Sequence, residues 1–542
     1  GTRNIAVGYG ASNAFDTEND NLAIGVNVLS GAVAGGEFNI GIGNFSLGAL
    51  TSADNCVAIG YNAGSAITSG TGNILIGLEA GSSITEGQYG TFIGYHAGKE
   101  RTTGGDTIGI GFQALKTSDT ETHNIAIGLN ALRLANGGGE FNVAIGNGTL
   151  DALTSADKVT AVGYGAGGAI TTGGQSTFIG HHAGDAATTP NNVIAIGDNA
   201  FGGGANAGCN YNMAIGNESM SNATMDSSGG GDTGLNNTCV GHFTAHDITS
   251  GYWNTMVGYQ AGANITTGYQ NILMGLNAGV SCTTSNNSIF MGVQAGDGHD
   301  TENHNLGIGS QALGGAIAGG EQNVAIGNYT LDALTSGDAN TILGYNAGSS
   351  ITTGGSNTLI GYQAGQDTVA LTTGGNNVAV GLNVRTSASD SYNAIVIGHN
   401  ISAASDYFAF GKASNVVSNN FTANASWSRS SDERKKTNIK NSTLGLNFIN
   451  ELRPVTFNWK PNSEFPETFE DYKQENQMTT DITLHGMIAQ DVKKALDNAN
   501  VNDFGGWSEN EDGSQELSQE MFVHPLIKAV QELSAQVTTL QQ

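Results

Sequence analysis

The pattern of apolar and polar positions repeats with a short, nearly fixed period over the first three quarters of the chain. Alignment of a short motif, an aliphatic residue or Met followed by glycine, gives 23 motif glycines between Gly8 and Gly398, and 16 of the 22 intervals between them are 17 residues long. Asn often stands four residues before this glycine, and Ala often stands three residues after it. A fixed period this short predicts a solenoid, in which each repeat is one coil that buries its apolar side by stacking on its neighbours.

Each position of the coil suggests a physical role. We expect the aliphatic residue to face inward from a short strand, the glycine to permit a positive φ or close backbone approach, and Ala to fit where packing is tightest. Asn at a corner can accept from backbone amides and stack in a ladder. Segments such as Ile-Thr-Thr-Gly at 170–173 predict a second short strand and a glycine turn. With coils about 4.8 Å apart, the rod is on the order of 110 Å long.

Composition and charge exclude several function classes. Only 12% of the 542 residues are charged and 82 are glycine, which argues against ordinary enzyme architecture. The formal charge of -28 disfavours nucleic-acid binding, and no apolar run is long enough to predict membrane insertion. We expect no cofactor, no metal site and no disulfide framework, because the cysteines are far apart in sequence. They are Cys56, Cys209, Cys239 and Cys282.

The coil motif Asn-x-Ala-Ile-Gly-x-x-Ala resembles the heads of trimeric autotransporter adhesins over roughly residues 1–410. That resemblance implies a trimeric parallel β-solenoid. One inward aliphatic residue and one Ala per strand are also a thin core for a single chain, which independently favours burial between chains. We therefore predict a mostly β chain in which residues 1–412 form a solenoid shaft of about 23 coils with a receptor-binding region.

The repeat stops near residue 412, and residues 413–430 have the polar composition of a linker. The segments Ser-Asp-Glu-Arg-Lys-Lys at 431–436, Leu-Arg-Pro-Val-Thr-Phe-Asn-Trp at 452–459, and His-Gly-Met-Ile-Ala-Gln-Asp at 485–491 then follow, before Pro-Leu-Ile-Lys-Ala-Val at 525–530. This set resembles the endosialidase-type intramolecular chaperone found at the C-termini of phage tailspikes and tail fibres. The resemblance assigns residues 431–542 to a small α+β chaperone and autocleavage domain.

The family pattern Ser-Asp-x-Arg-x-Lys corresponds to Ser431, Asp432, Arg434 and Lys436. The resemblance implies that the domain trimerises the fibre and cleaves itself between Ser430 and Ser431. Ser431 would be the nucleophile and Lys436 its base, with Asp432 and Arg434 in support, since a serine hydroxyl attacks poorly unless a neighbour removes its proton. This is a single-turnover serine autoprotease, and no other activity is predicted.

Three alternatives to this assignment stay open. The segment Arg-Lys-Lys at 434–436 is also typical of a solvated basic start to a domain. Ser430 is a second possible nucleophile. A domain that is never cut would act as a permanent trimerisation cap.

The end of the chain has apolar residues alternately four and three positions apart, which is the seam of a short coiled coil. Such a helix would hold three chains in register. The alternative is an amphipathic helix that packs on its own domain. The seam consists of Leu526, Val530, Leu533, Val537 and Leu540.

Receptor contacts are predicted at two kinds of position. Several coils place Tyr directly after the motif glycine, including Tyr259, Tyr345 and Tyr362, although a stacked ladder that merely covers the surface explains them too. Insertions leave a solenoid as loops, and the two longest intervals are those that contain 222–232 and 366–373. The first of these supplies the candidates Asn222, Asp226 and Asp232.

The sequence therefore predicts a phage tail fibre, an extracellular virion protein made in the host cytoplasm. It would form a homotrimer, bind a glycan or protein receptor on the host surface, and contact other virion tail proteins. A bacterial trimeric surface adhesin is one alternative, although that class needs a membrane anchor where this sequence has a polar domain. Ice binding by the Thr-Thr turns is another, but coils of unequal length interrupt the threonine array.

A glycan-degrading tailspike is a further alternative. It would need two carboxylates that flank the scissile bond. The candidate acids recur in step with the repeat, which favours a structural role for them. They are Glu18, Glu121 and Glu302, or Glu37, Glu140 and Glu321.

Overall fold

The structure is a computed structural model that describes residues 1–541 apart from a few positions, and the chain divides into two compact units, Gly1–Ser430 and Ser431–Gln542. The residues left out of the description are Phe15, Val33, Asn136, 204–208, 225–233, Asp367, Ser414, 423–427, Ser430, 477–479 and Gln542.

The first unit is a parallel β-solenoid, as the 17-residue period predicts. Strands of three residues stack one coil above the next, so that Thr255, for example, pairs with Thr238 before it and Ile272 after it. The strands of this unit are β1 Ile5–Val7, β2 Leu22–Ile24, β3 Ile40–Ile42, β4 Val57–Ile59, β5 Ile74–Ile76, β6 Thr91–Ile93, β7 Ile108–Ile110, β8 Ile125–Ile127, β9 Val143–Ile145, β10 Thr160–Val162, β11 Thr177–Ile179, β12 Ile194–Ile196, β13 Met213–Ile215, β14 Thr238–Val240, β15 Thr255–Val257, β16 Ile272–Met274, β17 Ile289–Met291, β18 Leu306–Ile308, β19 Val324–Ile326, β20 Thr341–Leu343, β21 Thr358–Ile360, β22 Val378–Leu382, β23 Arg385–Thr386, β24 Ile395–His399, β25 Ser402–Ala403, β26 Tyr407–Lys412, β27 Asn415–Asn420 and β28 Ser428–Arg429.

The direction of the motif aliphatic residue differs from the prediction. In β2 to β21 the middle residue of each strand is buried, as Ala58 and Leu75 are, and the residues on either side of it are partly or fully exposed. Ile145, directly before its motif glycine, is 38% exposed. Because successive side chains of a strand alternate, only one face of each strand points into the coil. The aliphatic residues before the glycines therefore face outward and form apolar columns along the rod.

The motif glycines fit their predicted role. Gly258 has a φ of +140°, and a Cβ atom there would lie 2.3 Å from the carbonyl oxygen of Gly275 in the next coil. No other residue tolerates both this backbone conformation and this approach. The Ala predicted at the tightest packing is also buried, as at Ala261 and Ala278. Glycine and Ala thus let consecutive coils approach at strand spacing.

The predicted asparagine ladder is present at the corner before most of the strands. The Asn254 side chain donates from Nδ2 to Asn237 Oδ1 at 3.0 Å and to the carbonyl oxygen of Gly268 at 2.9 Å. In turn its Oδ1 accepts from the backbone N–H of Asn271 at 3.0 Å. Each buried amide therefore satisfies its own polar atoms and joins three successive coils, which stabilises the stack.

The prediction that each coil contains a second strand is wrong for most of the shaft. The Ile-Thr-Thr segments, such as that at 265–267, bend instead of extending as strands. They still bond to the neighbouring coils: the backbone N–H and the hydroxyl of Thr249 both donate to the carbonyl oxygen of Thr266, at 2.9 Å and 3.0 Å. The threonines thus bond coil to coil without extended geometry. Within the described residues, a second strand pair occurs only where β23 lies beside β25.

The end of this unit is an antiparallel hairpin. Strand β26 continues the parallel stack and then pairs antiparallel with β27, with Lys412 opposite Asn415. Strand β28 pairs with β27 in turn. Residues 415–420 and 428–429, within the segment with linker composition, are therefore strands.

The second unit is a small α+β fold. Two antiparallel pairs, β29 Pro454–Phe457 with β30 Leu484–Met487 and β31 Trp507–Glu509 with β32 Gln515–Leu517, accompany three helices. The helices are α1 Leu446–Glu451, α2 Ala489–Asn498 and α3 Val523–Gln541, with 3₁₀ turns at Glu433–Lys435, Asn462–Glu464 and Gln519–Phe522. A core of buried residues joins α1, α2 and the last 3₁₀ turn, and it consists of Leu444, Phe448, Val492, Ala495, Leu496 and Phe522.

Candidate functional site

The start of the second unit is a tight turn that Asp432 caps. The carboxylate of Asp432 accepts from the backbone N–H of Arg434 at 2.9 Å, which satisfies a free donor at the start of the 3₁₀ turn Glu433–Lys435. The Arg434 guanidinium donates to the same carboxylate through Nε at 3.0 Å and through a terminal nitrogen at 2.6 Å. Asp432 and Arg434 therefore fix the turn from both its backbone and its side chains.

This turn brings the two residues of the predicted dyad together. The Lys436 Nζ donates to the Ser431 Oγ at 2.6 Å, across five residues of sequence. Both side chains are exposed in the single chain. A hydroxyl and an amine in direct hydrogen-bond contact have the geometry that general-base activation of a serine needs, once the amine is neutral. Their roles remain a prediction.

Charge at the turn is arranged around Asp432. The side chain and backbone N–H of Arg434 hold the pKa of Asp432 at about 2, well below its ordinary value. The carboxylate raises the pKa of Arg434 in return. Since Arg434 is paired with Asp432, its positive charge is largely balanced next to the dyad.

Some predicted site residues lie outside the described residues. They are Ser430, on one side of the predicted cleaved bond, and Asp226 and Asp232 in the longest insertion. Asn222 is described and exposed, and its Nδ2 donates to Asp247 Oδ1 at 2.9 Å.

The family comparison concerns this same part of the chain. Residues 431–501 match the family model described as chaperone of endosialidase. The match begins at Ser431. Together with the β-solenoid, this match fits a tail fibre or tailspike with a C-terminal chaperone. Among curated proteins, no relative matches the chain. The chaperone match covers the capped turn, the dyad, α1, α2 and the strand pair of β29 and β30.

The predicted C-terminal seam lies on α3 of the chaperone-bearing unit. Its five apolar residues are between 45% and 87% exposed in the single chain, with Val537 at the lower end and Leu540 at the upper. They do not belong to the core of their own unit. Another face of α3 packs on its own unit, where Ala529 is buried and the backbone N–H of Leu446 donates to Glu532 at 2.8 Å. The exposed stripe is therefore available for a coiled coil.

The tyrosines that follow motif glycines form stacked pairs on the shaft of this fibre-like chain. Tyr345 and Tyr362 stack with ring centroids 5.6 Å apart, and Tyr259 stacks on His242 at 5.7 Å. All three tyrosines are between 45% and 48% exposed. A similar stack joins Tyr95 and Phe112 elsewhere on the rod, so the arrangement is a general covering of the surface as well as a candidate contact.

The repeated acids have structural roles. Glu18, Glu121 and Glu302 are buried, and each accepts the backbone N–H of a glycine in the following coil at 3.0–3.1 Å. Those glycines, Gly35, Gly138 and Gly319, have positive φ and lie in the 18-residue coils. Each of the second acids accepts from an Asn or Thr of the preceding coil at 2.8–3.0 Å, and these acids are Glu37, Glu140 and Glu321. The carboxylates hold the longer coils in place.

Two kinds of feature are absent from the described residues. In that part of the chain no helix is both long and apolar enough to span a bilayer. The same residues contain no group of three or more His, Cys, Asp or Glu side chains placed to hold a metal ion.

Sequence reasoning missed one aromatic cluster at a corner of the shaft. Tyr252 and Tyr269 stack with centroids 4.8 Å apart, and Trp253 meets Tyr252 edge-on at 5.2 Å. The signal was available: in most coils the residue six before the motif glycine is Asn, Asp, Glu, Gly or Thr, and here two successive coils have Tyr.

Proposed function

We propose that this protein is a phage tail fibre that binds a receptor on the host surface and is assembled as a homotrimer by a self-cleaving C-terminal chaperone. The observation that carries the proposal is the contact of 2.6 Å between Lys436 Nζ and Ser431 Oγ at the first residue of the chaperone match. A fibre of this kind belongs to the virion and is exposed outside the cell.

Each of the two units exposes an apolar surface that association of chains would bury. In the solenoid, the outward aliphatic columns on both sides of the buried middle residue run from coil to coil, with Ile74, Ile145 and Ile179 between 38% and 39% exposed. In the second unit, the α3 seam is exposed. Monomeric proteins rarely leave contiguous apolar surfaces of more than a few hundred Å² in water. Association of three copies would remove both apolar surfaces from water.

The cleavage chemistry uses only the residues of the turn. Neutral Lys436 Nζ takes the hydroxyl proton while Ser431 Oγ attacks the carbonyl carbon of residue 430. The C–N bond then breaks, the proton passes to the Ser431 nitrogen, and an ester joins residue 430 to Ser431 Oγ. Water hydrolyses that ester to a carboxylate at residue 430 and a free Ser431 hydroxyl. Each chain is cut once, because the nucleophile is part of its own substrate.

The test is a denaturing gel of freshly expressed full-length protein. Wild type should give two bands, whereas Ser431→Ala and Lys436→Ala should each give one. Lys435→Ala is the matched control, since it removes a neighbouring lysine, and Ser430→Ala tests the alternative nucleophile. Both of these variants should still be cut. Cleavage that persists in Ser431→Ala would disprove the dyad.

A separate measurement tests the fibre itself. Sedimentation of the Ser431→Ala protein should give a trimer, because that change leaves both apolar surfaces intact. If neither wild type nor variant is cut but both are trimers, the domain is a permanent trimerisation cap. A monomer in both cases would contradict the fibre proposal.

A further inference from the structure

The corner of the shaft that carries Tyr252, Trp253 and Tyr269 departs from the rest of the repeat. Trp253 is 44% exposed, and its φ of +56° is a conformation that bulky residues rarely adopt. Many other coils place Asn, Gln, Asp or His at the same left-handed corner, as at Asn236 and Gln270 on either side, and four others place a Phe or Tyr there. The fold therefore does not require an indole there, and Trp253 differs from the other aromatic corners because it meets Tyr252, which stacks on Tyr269 in the next coil.

The cluster also has a distinctive place along the rod. It lies in the two coils directly after the longest interval between motif glycines, from Gly216 to Gly241. Sites that break a repeat are more often used for recognition than the residues that maintain it. This separates the corner from the tyrosine pairs after motif glycines, which recur along the whole shaft.

The polar surroundings favour a sugar as the occupant. The exposed amides of Asn236, Gln270 and Asn287 occupy the same corner in the neighbouring coils. Amide side chains both donate and accept hydrogen bonds, as sugar hydroxyls do, and the apolar face of a pyranose ring packs well against aromatic carbon. The coil spacing of about 4.8 Å is close to the length of one pyranose unit, so an extended chain could meet one coil per sugar.

The charge of the chain around this corner limits the class of sugar that can bind. No Lys or Arg occurs between Lys158 and Arg385, whereas Asp and Glu are spread through that stretch. An anionic glycan would meet repulsion there without a compensating cation. We propose that the corner formed by Tyr252, Trp253 and Tyr269 binds an extended neutral polysaccharide of the host surface. This rests on the proposed receptor-binding function and names the substrate class for it.

The experiment uses the full-length protein on a printed array of neutral hexose and N-acetylhexosamine oligosaccharides beside sialylated and phosphorylated ones. Wild type should bind neutral members and not anionic ones. Trp253→Ala and Tyr269→Ala should weaken that binding about tenfold or more, as expected for central aromatic contacts. Trp253→Phe should retain most of it, because a ring remains. Sedimentation and circular dichroism confirm that the variants fold and assemble.

The matched control is Tyr89→Ala. Tyr89 occupies the same left-handed corner in another coil and is 60% exposed, so its removal should leave glycan binding unchanged. Equal loss in Tyr89→Ala, no loss in Trp253→Ala, or a preference for anionic glycans would each overturn the proposal.

Adsorption to whole bacteria separates this inference from the proposed function. If wild type binds cells but Trp253→Ala binds them equally well, the corner is not the site and receptor binding stands. If binding depends on Trp253 but is abolished when the cells are treated with protease, the ligand is a protein and the glycan assignment is wrong. A wild-type trimer that binds neither the array nor any bacterium would refute the receptor-binding function itself.

Discussion

Lys436 Nζ and Ser431 Oγ lie 2.6 Å apart because a single capped turn folds the intervening residues back. The dyad thus needs no long-range contact to form. Its precision depends on Asp432, the residue that receives both the backbone N–H and the guanidinium of Arg434.

Asp432→Ala should slow self-cleavage about fivefold, because loss of the N-cap releases the turn that holds Lys436. Asp432→Asn should slow it less, since an amide oxygen can still accept from the backbone. The measurement is the rate at which the smaller band appears after pulse-labelled synthesis. Glu433→Ala, within the same turn, is the control. Cleavage of Asp432→Ala at the wild-type rate would show that the cap does not position the lysine.

Gly258→Ala should destabilise the shaft by about 4 kcal/mol or more, since a Cβ there would lie 2.3 Å from a backbone oxygen of the next coil. The expected result is a lower thermal midpoint and less soluble trimer. Gly148→Asn is the matched control: its φ is +66°, no atom lies within 4 Å of a Cβ there, and Asn62 occupies the same place in another coil. Equal destabilisation by both changes would contradict the close-approach argument.

His299 makes the shaft sensitive to acid. Burial against Phe290 lowers the pKa of His299 from 6.5 to about 3. The unfolded chain therefore takes up this proton at higher pH than the folded one, and the stability contribution is complete above pH 6.5 and lost as pH falls towards 3. At pH 4.5 the loss is about 3 kcal/mol per chain.

His299→Leu should remove this loss. The variant should unfold at higher denaturant concentration than wild type at about pH 4.5, with a smaller difference at neutral pH, as measured by parallel urea titrations. His304→Leu is the control, because His304 is exposed. A constant difference between His299→Leu and wild type across this pH range would mean that the buried imidazole does not titrate as argued.

Leu533→Asp should weaken trimer formation without unfolding the second unit. Leu533 is 49% exposed and lies outside the core of that unit, so a charge there affects the seam between helices. We expect sedimentation to show monomers at concentrations where wild type is a trimer. Gln531→Asp places the same residue on the same helix away from the seam and should leave the trimer intact. If both behave as wild type, α3 does not hold the chains together.

Much of the shaft was predictable because its repeat imposes the same requirement many times. The close approach at Gly258 and the ladder through Asn254 follow from residue types whose chemistry allows few other uses. The direction of Ile145 did not follow, because its strand is apolar at all three positions and hides the alternation of inner and outer faces. The Thr249 turn was misjudged because β-branched residues favour strands in general. Here their hydroxyls bond to the backbone of the next coil instead.

The two residues of the dyad were predicted from a motif, whereas nothing in the sequence predicted their geometry. The identities of Ser431 and Lys436 come from the family resemblance, but the turn that joins them depends on how Asp432 uses its carboxylate. The corner at Trp253 was missed because its residues depart from the repeat. The residues that follow the repeat, such as Tyr259 and Tyr345, were the ones that the motif singled out. A column-by-column comparison of coils would have revealed Tyr252 and Tyr269.

The register of the solenoid has a kinetic consequence. Along the described shaft, the strands of one coil pair with those of the coils before and after it, as Thr255 does with Thr238 and Ile272. The first coil to form has no neighbour, so we expect nucleation to be slow and later coils to add in sequence, as in other stacked-repeat proteins. A chain in which one coil is already held in a defined arrangement would bypass this slow step. The position of the first coil then determines the direction in which the rest of the shaft folds.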